Sequence, residues 1–206
     1  MAKPSRIRGK LVRKFGVNIF GNPKYDRLLN RKPYAPGQHG QTRRRRLSNY
    51  GFQLQEKQKI KFMYGLLEKQ FKNYFTKAEK IPGETGTNLL QMLESRLDNI
   101  VYRISFAPTR PAARQLVNHG HVKVNGKKVN ISSYLLGEED TIEIKDKSKQ
   151  LAIIDIALAN KERDIPEYLQ VDEKKRTIKF VRTPKFEEVP YPVVMEPNLV
   201  IEYYSR

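Results

Sequence analysis

The chain has 206 residues, enough for one or two domains with a sizeable core. It carries 40 Lys and Arg against 22 Asp and Glu, a formal net charge of +18, and no cysteine. The missing cysteines exclude disulfides, thiol chemistry and Cys-based zinc sites, while the self-repelling charge points to a polyanionic partner, nucleic acid first.

The charge is unevenly placed. Residues 1–50 carry net +13, residues 51–100 net +2, residues 101–150 net +4 and residues 151–206 net −1. Different parts of the chain therefore face different partners. No apolar run is long enough to span a bilayer, and the first residues lack the apolar stretch of a signal peptide, so the reading is a soluble, intracellular protein. No amphipathic helix pairs a basic face with an exposed Trp or Leu edge, so no membrane partner is expected.

Residues 1–46 are rich in Lys, Arg, Gly and Pro and lack a sustained hydrophobic period. Such a segment buries too little apolar surface to offset its conformational entropy, so it reads as an irregular basic extension that orders on a partner. Val17, Ile19 and Phe20 offer it a small anchor. Ala35-Pro36-Gly37-Gln38-His39-Gly40 is a turn that presents Gln38 and His39 between two glycines. Two readings of it stand: a phosphate cradle of backbone N–H groups, or a plain polar loop. Arg43, Arg44, Arg45 and Arg46 form a basic run whose guanidinium forks match phosphate oxygens.

Residues 47–78 have a helical period, with Ser48 as N-cap, Gly65 as a break between two helices, and Leu54, Ile60, Phe62, Leu66, Leu67, Phe71, Tyr74 and Phe75 as candidate core. Lys57, Lys61 and Lys69 fall on polar positions. Tyr50, Tyr64 and Tyr74 either stack on bases or belong to the core. A Pro82-Gly83 loop follows. Then Leu93, Leu97, Ile100, Val101 and Ile104 lie along one side of a helix, with Arg96, Asn99 and Arg103 on the other.

Thr109 reads as the N-cap of a second helix with Pro111 in its first turn. Ala113, Leu116 and Val117 form its buried stripe, and Arg110, Arg114 and Asn118 share an outward face. Gly120 ends that helix, His121 to Val124 alternates as a strand, and Asn125-Gly126 is a hairpin turn before Lys127 and Val129. Arg110, Arg114, His121, Lys123 and Lys127 are thus expected on one phosphate-binding surface, although a solvated face without a partner has the same pattern.

Beyond a turn at residues 137–140, Thr141 to Lys145 alternates as a third strand. Residues 149–161 read as a helix packing Ile153, Ile154, Ala157 and Leu158. Residues 168–171 and 177–181 read as a strand pair. The proline-spaced residues 184–197 run extended into a last alternating, strand-like segment at residues 199–204.

The fold class is α+β: a basic N-terminal extension (residues 1–46), a helical domain (47–88, completed by 184–206), and a helix-helix-hairpin domain with a small, mainly antiparallel sheet (89–183). With three histidines, no P-loop, no Gly-x-Ser-x-Gly elbow and no HExxH, nothing indicates catalysis, a metal, a cofactor or a small-molecule substrate. Asp98 reads as an ion-pair or capping partner, and His119 with His121 lacks further ligands.

Arg96-Leu97-Asp98, Thr109-Arg110, Ala113 to Val117, Gly120-His121-Val122, Val124-Asn125-Gly126 and Val129-Asn130 resemble the S-four RNA-binding domain. Ala35 to Gly40, Leu47 to Gly51, Gln55 to Lys59, Tyr64-Gly65, Gln70-Phe71, Asn73-Tyr74 and Leu199 to Ser205 extend the resemblance along nearly the whole chain. They look like the bacterial-type ribosomal protein S-four family. The resemblance implies a primary binder of small-subunit (16S-type) rRNA that joins the 5′ domain early in assembly. It adds Arg96, Thr109, Gln115 and Asn125 to the RNA-contacting set, a place for Arg43 to Arg46 at the mRNA entry channel, and a contact with ribosomal protein S-five that bears on translational accuracy. The terminal Leu199, Ile201, Tyr203 and Tyr204 are the residues read as that protein interface. Some relatives carry a four-cysteine zinc knuckle near the N-terminus; its cysteines are absent here, so no zinc is expected. An RNA-modifying enzyme and a free regulatory RNA-binding protein are the competing functions.

Overall fold

The computed structural model describes residues 7–42, 46–159, 165–172 and 175–205. Contacts divide the chain into two compact units, Met1–Gly86 with Tyr191–Arg206, and Thr87–Pro190.

The first unit is helical among its described residues. Helices α1 (Arg8–Phe15) and α2 (Pro23–Arg31) stand where irregular backbone is expected from the sequence. The reason is non-local burial: Val12, Phe15 and Ile19 are buried, and the Phe15 ring lies 6.4 Å from that of Phe62, far along the chain. Of the expected anchor, Ile19 is buried and Val17 is exposed. Local signals also agree with the helices. Gly16 closes α1 in the left-handed conformation, and the Asn22 side chain accepts from the Lys24 N–H ahead of Pro23 at the start of α2.

Helix α3 (Asn49–Met63) starts where the Ser48 hydroxyl accepts from the Gly51 N–H, and Gly65, at φ 64°, turns the chain toward α4 (Glu68–Glu79). Ile60, Leu66, Phe71, Tyr74 and Phe75 are core, but the buried stripe of α3 runs through Gln53, Lys57 and Ile60. Leu54 is only half-buried, and Lys57 is inside, not on a polar face.

The end of the chain is a helix, α9 (Pro197–Tyr204), where alternation reads as a strand. Its packing decides the matter. Tyr204 meets the rings of Phe75 at 4.6 Å and Phe71 at 6.3 Å, Tyr203 lies 5.7 Å from Tyr50, and Val200 is fully buried. Residues 200 and 204 share a side of a helix, and Pro197 is pre-set for a first turn. The short β-branched run thus yields to tertiary contacts.

Helix α5 (Thr85–Glu94) opens in the first unit and continues in the second, which contains α6 (Leu97–Arg103) and α7 (Arg110–Asn118). A sheet follows, of β1 (Val122–Val124), β2 (Lys127–Val129), β3 (Thr141–Ile144), β4 (Leu169–Asp172) and β5 (Thr177–Phe180), with every neighbouring pair antiparallel in the order β2-β1-β3-β5-β4. The fold is α+β. Val122, Val124, Ile142, Ile144, Ile178 and Phe180 point to the core, as the period of two requires. Helix α8 (Ala152–Ala159) buries Ile154 and Ala157, while Ile153, expected in its core, is exposed. Residues 160 and 161 of the helix expected there lie outside the described residues.

Candidate nucleic-acid interface

The hairpin is built by its turn. Asn125 and Gly126 take φ 50° and 75°, the positive pair a type I′ turn needs. The Asn125 side chain is itself structural: its Nδ2 donates to Asp140 at 2.7 Å, and its Oδ1 accepts from the Thr141 N–H at 2.8 Å. Lys127 and Lys128 on β2 are exposed. Lys123 faces Glu143 across β1 and β3, with Nζ 3.6 Å from the carboxylate. At the corner where α7 meets β1, His121 Nδ1 lies 2.9 Å from the Ser148 hydroxyl and its ring 6.1 Å from that of His119. Burial, with the charge of His119 and Lys145, holds the His121 pKa below its ordinary value. Gln115 is exposed on the same helix.

Helix α7 itself begins as expected, with Thr109 accepting from the Ala112 N–H. Its arginines do not. Arg110 is buried, donating from Nε to Asn99 at 3.0 Å with its guanidinium 4.3 Å from the centre of the Tyr102 ring. Arg114 is half-buried and donates Nε and Nη2 to one oxygen of Asp98, at 2.8 and 2.7 Å. Arg96, expected on the polar side of its helix, is also buried and grips both Asp98 oxygens, at 3.1 and 3.0 Å.

A second buried pair lies deeper. The Glu94 carboxylate, fully buried, accepts from Arg103 Nε and Nη2, from Asn99 Nδ2 and from the Tyr168 hydroxyl. The helical period places Asn99 and Arg103, like Arg96, on an outer face. Period alone misplaces them because α6 is covered on every side and all seven of its residues are buried. A covered helix keeps its charges only when each is paired, and these are.

In the first unit, Lys57 is buried with Nζ 2.5 Å from Glu68 and 4.5 Å from the centre of the Tyr203 ring. Lys61 reaches the other Glu68 oxygen at 2.8 Å, and the Tyr204 hydroxyl donates to Glu68 at 3.1 Å. Partial burial alone would raise the Glu68 carboxyl, but hydrogen bonds and charge from Lys57 and Lys61 outweigh it and hold its pKa at about 2. Burial, then the Glu68 charge, pushes the Tyr204 hydroxyl up. Tyr203 and Tyr204 are half-buried against α3 and α4, and Leu199 and Ile201 on the same helix are half-buried too.

Lys69 and Tyr50 are exposed, and so is Arg46 just ahead of the α3 cap; Arg43, Arg44 and Arg45 lie outside the described residues. Gln38 and His39 sit exposed on a tight loop. Its shape is fixed by Gly40, where a Cβ would come within 1.9 Å of the Ala35 carbonyl oxygen, and by Arg13, which donates to the Tyr34 and Ala35 carbonyls. Sequence reasoning missed an exposed cationic stripe on α2, Lys24, Arg27 and Arg31. Its signal was there: an Asn-Pro helix start followed by cations at spacings of three and four.

The hairpin exposes Lys127 and Lys128, while Arg96, Arg103 and Arg114 are held in ion pairs. The family model described as "Ribosomal protein S4/S9 N-terminal domain" matches residues 5–94, and that described as "S4 domain" matches residues 95–142. The protein named "Small ribosomal subunit protein uS4" of Pelagibacter ubique is 59% identical over 207 aligned positions, covering 100% of both chains. Those of the same name from Ruegeria pomeroyi and Jannaschia sp. are 54% and 53% identical, again over 100% of each chain. The chain belongs to the uS4 family of small ribosomal subunit proteins, which are structural and not enzymatic.

Proposed function

We propose that the chain is a structural constituent of the small ribosomal subunit in the bacterial cytoplasm, bound directly to small-subunit rRNA. The observation that carries this is full-length identity of more than half to relatives of that name. The cationic surface is consistent with it, because each phosphate neutralised by Lys or Arg releases counter-ions.

The RNA-facing set, in this reading, is the hairpin with Lys123 and Lys127, the α7 end with Gln115 and His121, the loop with Gln38 and His39, the α2 stripe, and Tyr50 and Lys69, with Lys61 shared between Glu68 and the RNA. Arg96, Arg110 and Lys57 hold the module in shape; Arg114 and Asn125 do both. The domain boundaries at residues 46, 88 and 183 belong to this reading too. The protein nucleates assembly of the 5′ domain, and Arg43 to Arg46 meet mRNA at the entry channel. The outer sides of Leu199, Ile201, Tyr203 and Tyr204 meet ribosomal protein S-five, and that contact bears on accuracy. A nuclease footprint on protein-free small-subunit rRNA tests the core of it: protection confined to the 5′ domain is expected. Sedimentation as free protein in cell extracts would favour a regulatory RNA-binder instead.

A further inference from the structure

The segment between β2 and β3 holds three large apolar side chains in water: Ile131, Tyr134 and Leu135 are 59, 39 and 37% exposed. Its backbone leaves them little freedom to turn inward. The Leu97 N–H donates to the Tyr134 carbonyl at 2.9 Å, the Asp98 N–H to that of Ser132 at 3.2 Å, and the Leu136 N–H to that of Ser95 at 2.9 Å. These carbonyls satisfy two of the N–H groups that the first turn of α6 cannot pair within the helix, so the segment is tied to the core while its side chains stay out. Single exposed apolar residues are ordinary; three within five residues on a fixed segment mark a contact surface.

The surroundings say what kind. Asp98, whose N–H holds Ser132, also holds Arg114 through its carboxylate, and the Arg114 side chain keeps 22% of its surface exposed. Exposed Lys127 and Lys128 lead along β2 into the same segment. An apolar protein face laid here would strip water from these cations without compensation. A nucleotide offers both halves of the match, a flat base for the ring and a phosphate for the cations.

We infer that Tyr134 is a stacking platform for an unpaired base of the bound RNA, with Ile131 and Leu135 bordering it and Arg114, Lys127 and Lys128 holding the adjoining phosphates. This rests on the rRNA-binding reading above. Stacking on an aromatic face is tolerant of sequence and independent of counter-ion release, so it separates cleanly from charge.

The test is the affinity of the full chain for small-subunit rRNA across a range of salt concentrations. Tyr134→Ala is expected to bind roughly five- to a hundredfold more weakly at every salt concentration with an unchanged salt slope. Tyr134→Phe, which keeps the ring, is expected to bind like the parent, whereas Lys127→Ala lowers the slope. Should the alanine variant lose structure by circular dichroism, Tyr134→Leu carries the same test, keeping apolar bulk without the ring. Equal affinity of the parent and Tyr134→Ala, a changed slope in that variant, or an equal loss in Tyr134→Phe would overturn the inference. If the parent itself fails to bind rRNA, the underlying reading falls with it.

Discussion

Glu94 and Arg103 form a two-point ion pair inside the second unit, with Nη2 2.7 Å from one carboxylate oxygen and Nε 3.0 Å from the other. Both residues are buried, and Asn99 and the Tyr168 hydroxyl share the same carboxylate. Removing one partner strands the other charge in a low-dielectric interior, at a cost of about 3–5 kcal/mol. Arg103→Leu is therefore expected to lower stability by that order in denaturant unfolding. A loss under 1 kcal/mol would show the pair to be dispensable.

Glu68 links acidity to the docking of α9. Its pKa is depressed from 4.5 to about 2, so the folded state binds fewer protons than the unfolded chain between those values. The stabilisation is present above about pH 4.5 and is lost as pH falls toward 2. Glu68→Gln is expected to flatten the acid side of the stability profile in this window and to speed hydrogen exchange in α9. Identical acid limbs for parent and variant would contradict the assignment.

Cations that look alike in sequence should separate by experiment. Lys123→Ala and Lys127→Ala, changed together, are expected to reduce the slope of log affinity against log salt by about two while leaving the fold intact. Arg110→Ala, which removes a buried guanidinium from Asn99 and Tyr102, should lower the melting temperature instead. A salt-slope change in the arginine variant with no change in stability would reverse that division.

Asn125 makes a related case. An Ala there must adopt φ near 50° and forfeit hydrogen bonds to Asp140 and Thr141. Asn125→Ala is expected to cost about 1–3 kcal/mol of stability. Asn125→Gly, which relieves the strain, should recover part of it. Equal stability of all three chains in thermal unfolding would dismiss this structural role.

Local grammar was readable in the sequence. The Ser48 and Thr109 caps, the Gly65 and Gly120 breaks and the Asn125-Gly126 turn each follow from one residue's own chemistry. What was not readable depends on partners distant in the chain. Helix α1 forms because Phe15 finds Phe62, and α9 is a helix because Tyr204 finds Phe71 and Phe75. Arg96, Asn99 and Arg103 lie inside because α6 has no solvent face, which a 3.6-residue period cannot reveal. The candidate surface was legible as charge. Which cations are spent on Asp98, Glu94 and Glu68 was not, since carboxylate and guanidinium meet only once the chain has folded.

Competition binding separates recognition of folded RNA from attraction to charge: the purified chain is offered protein-free small-subunit rRNA together with an excess of heparin at moderate salt. Selective recognition predicts a stable complex whose footprint survives the competitor. Displacement in proportion to competitor charge alone, with no footprint remaining, would contradict it.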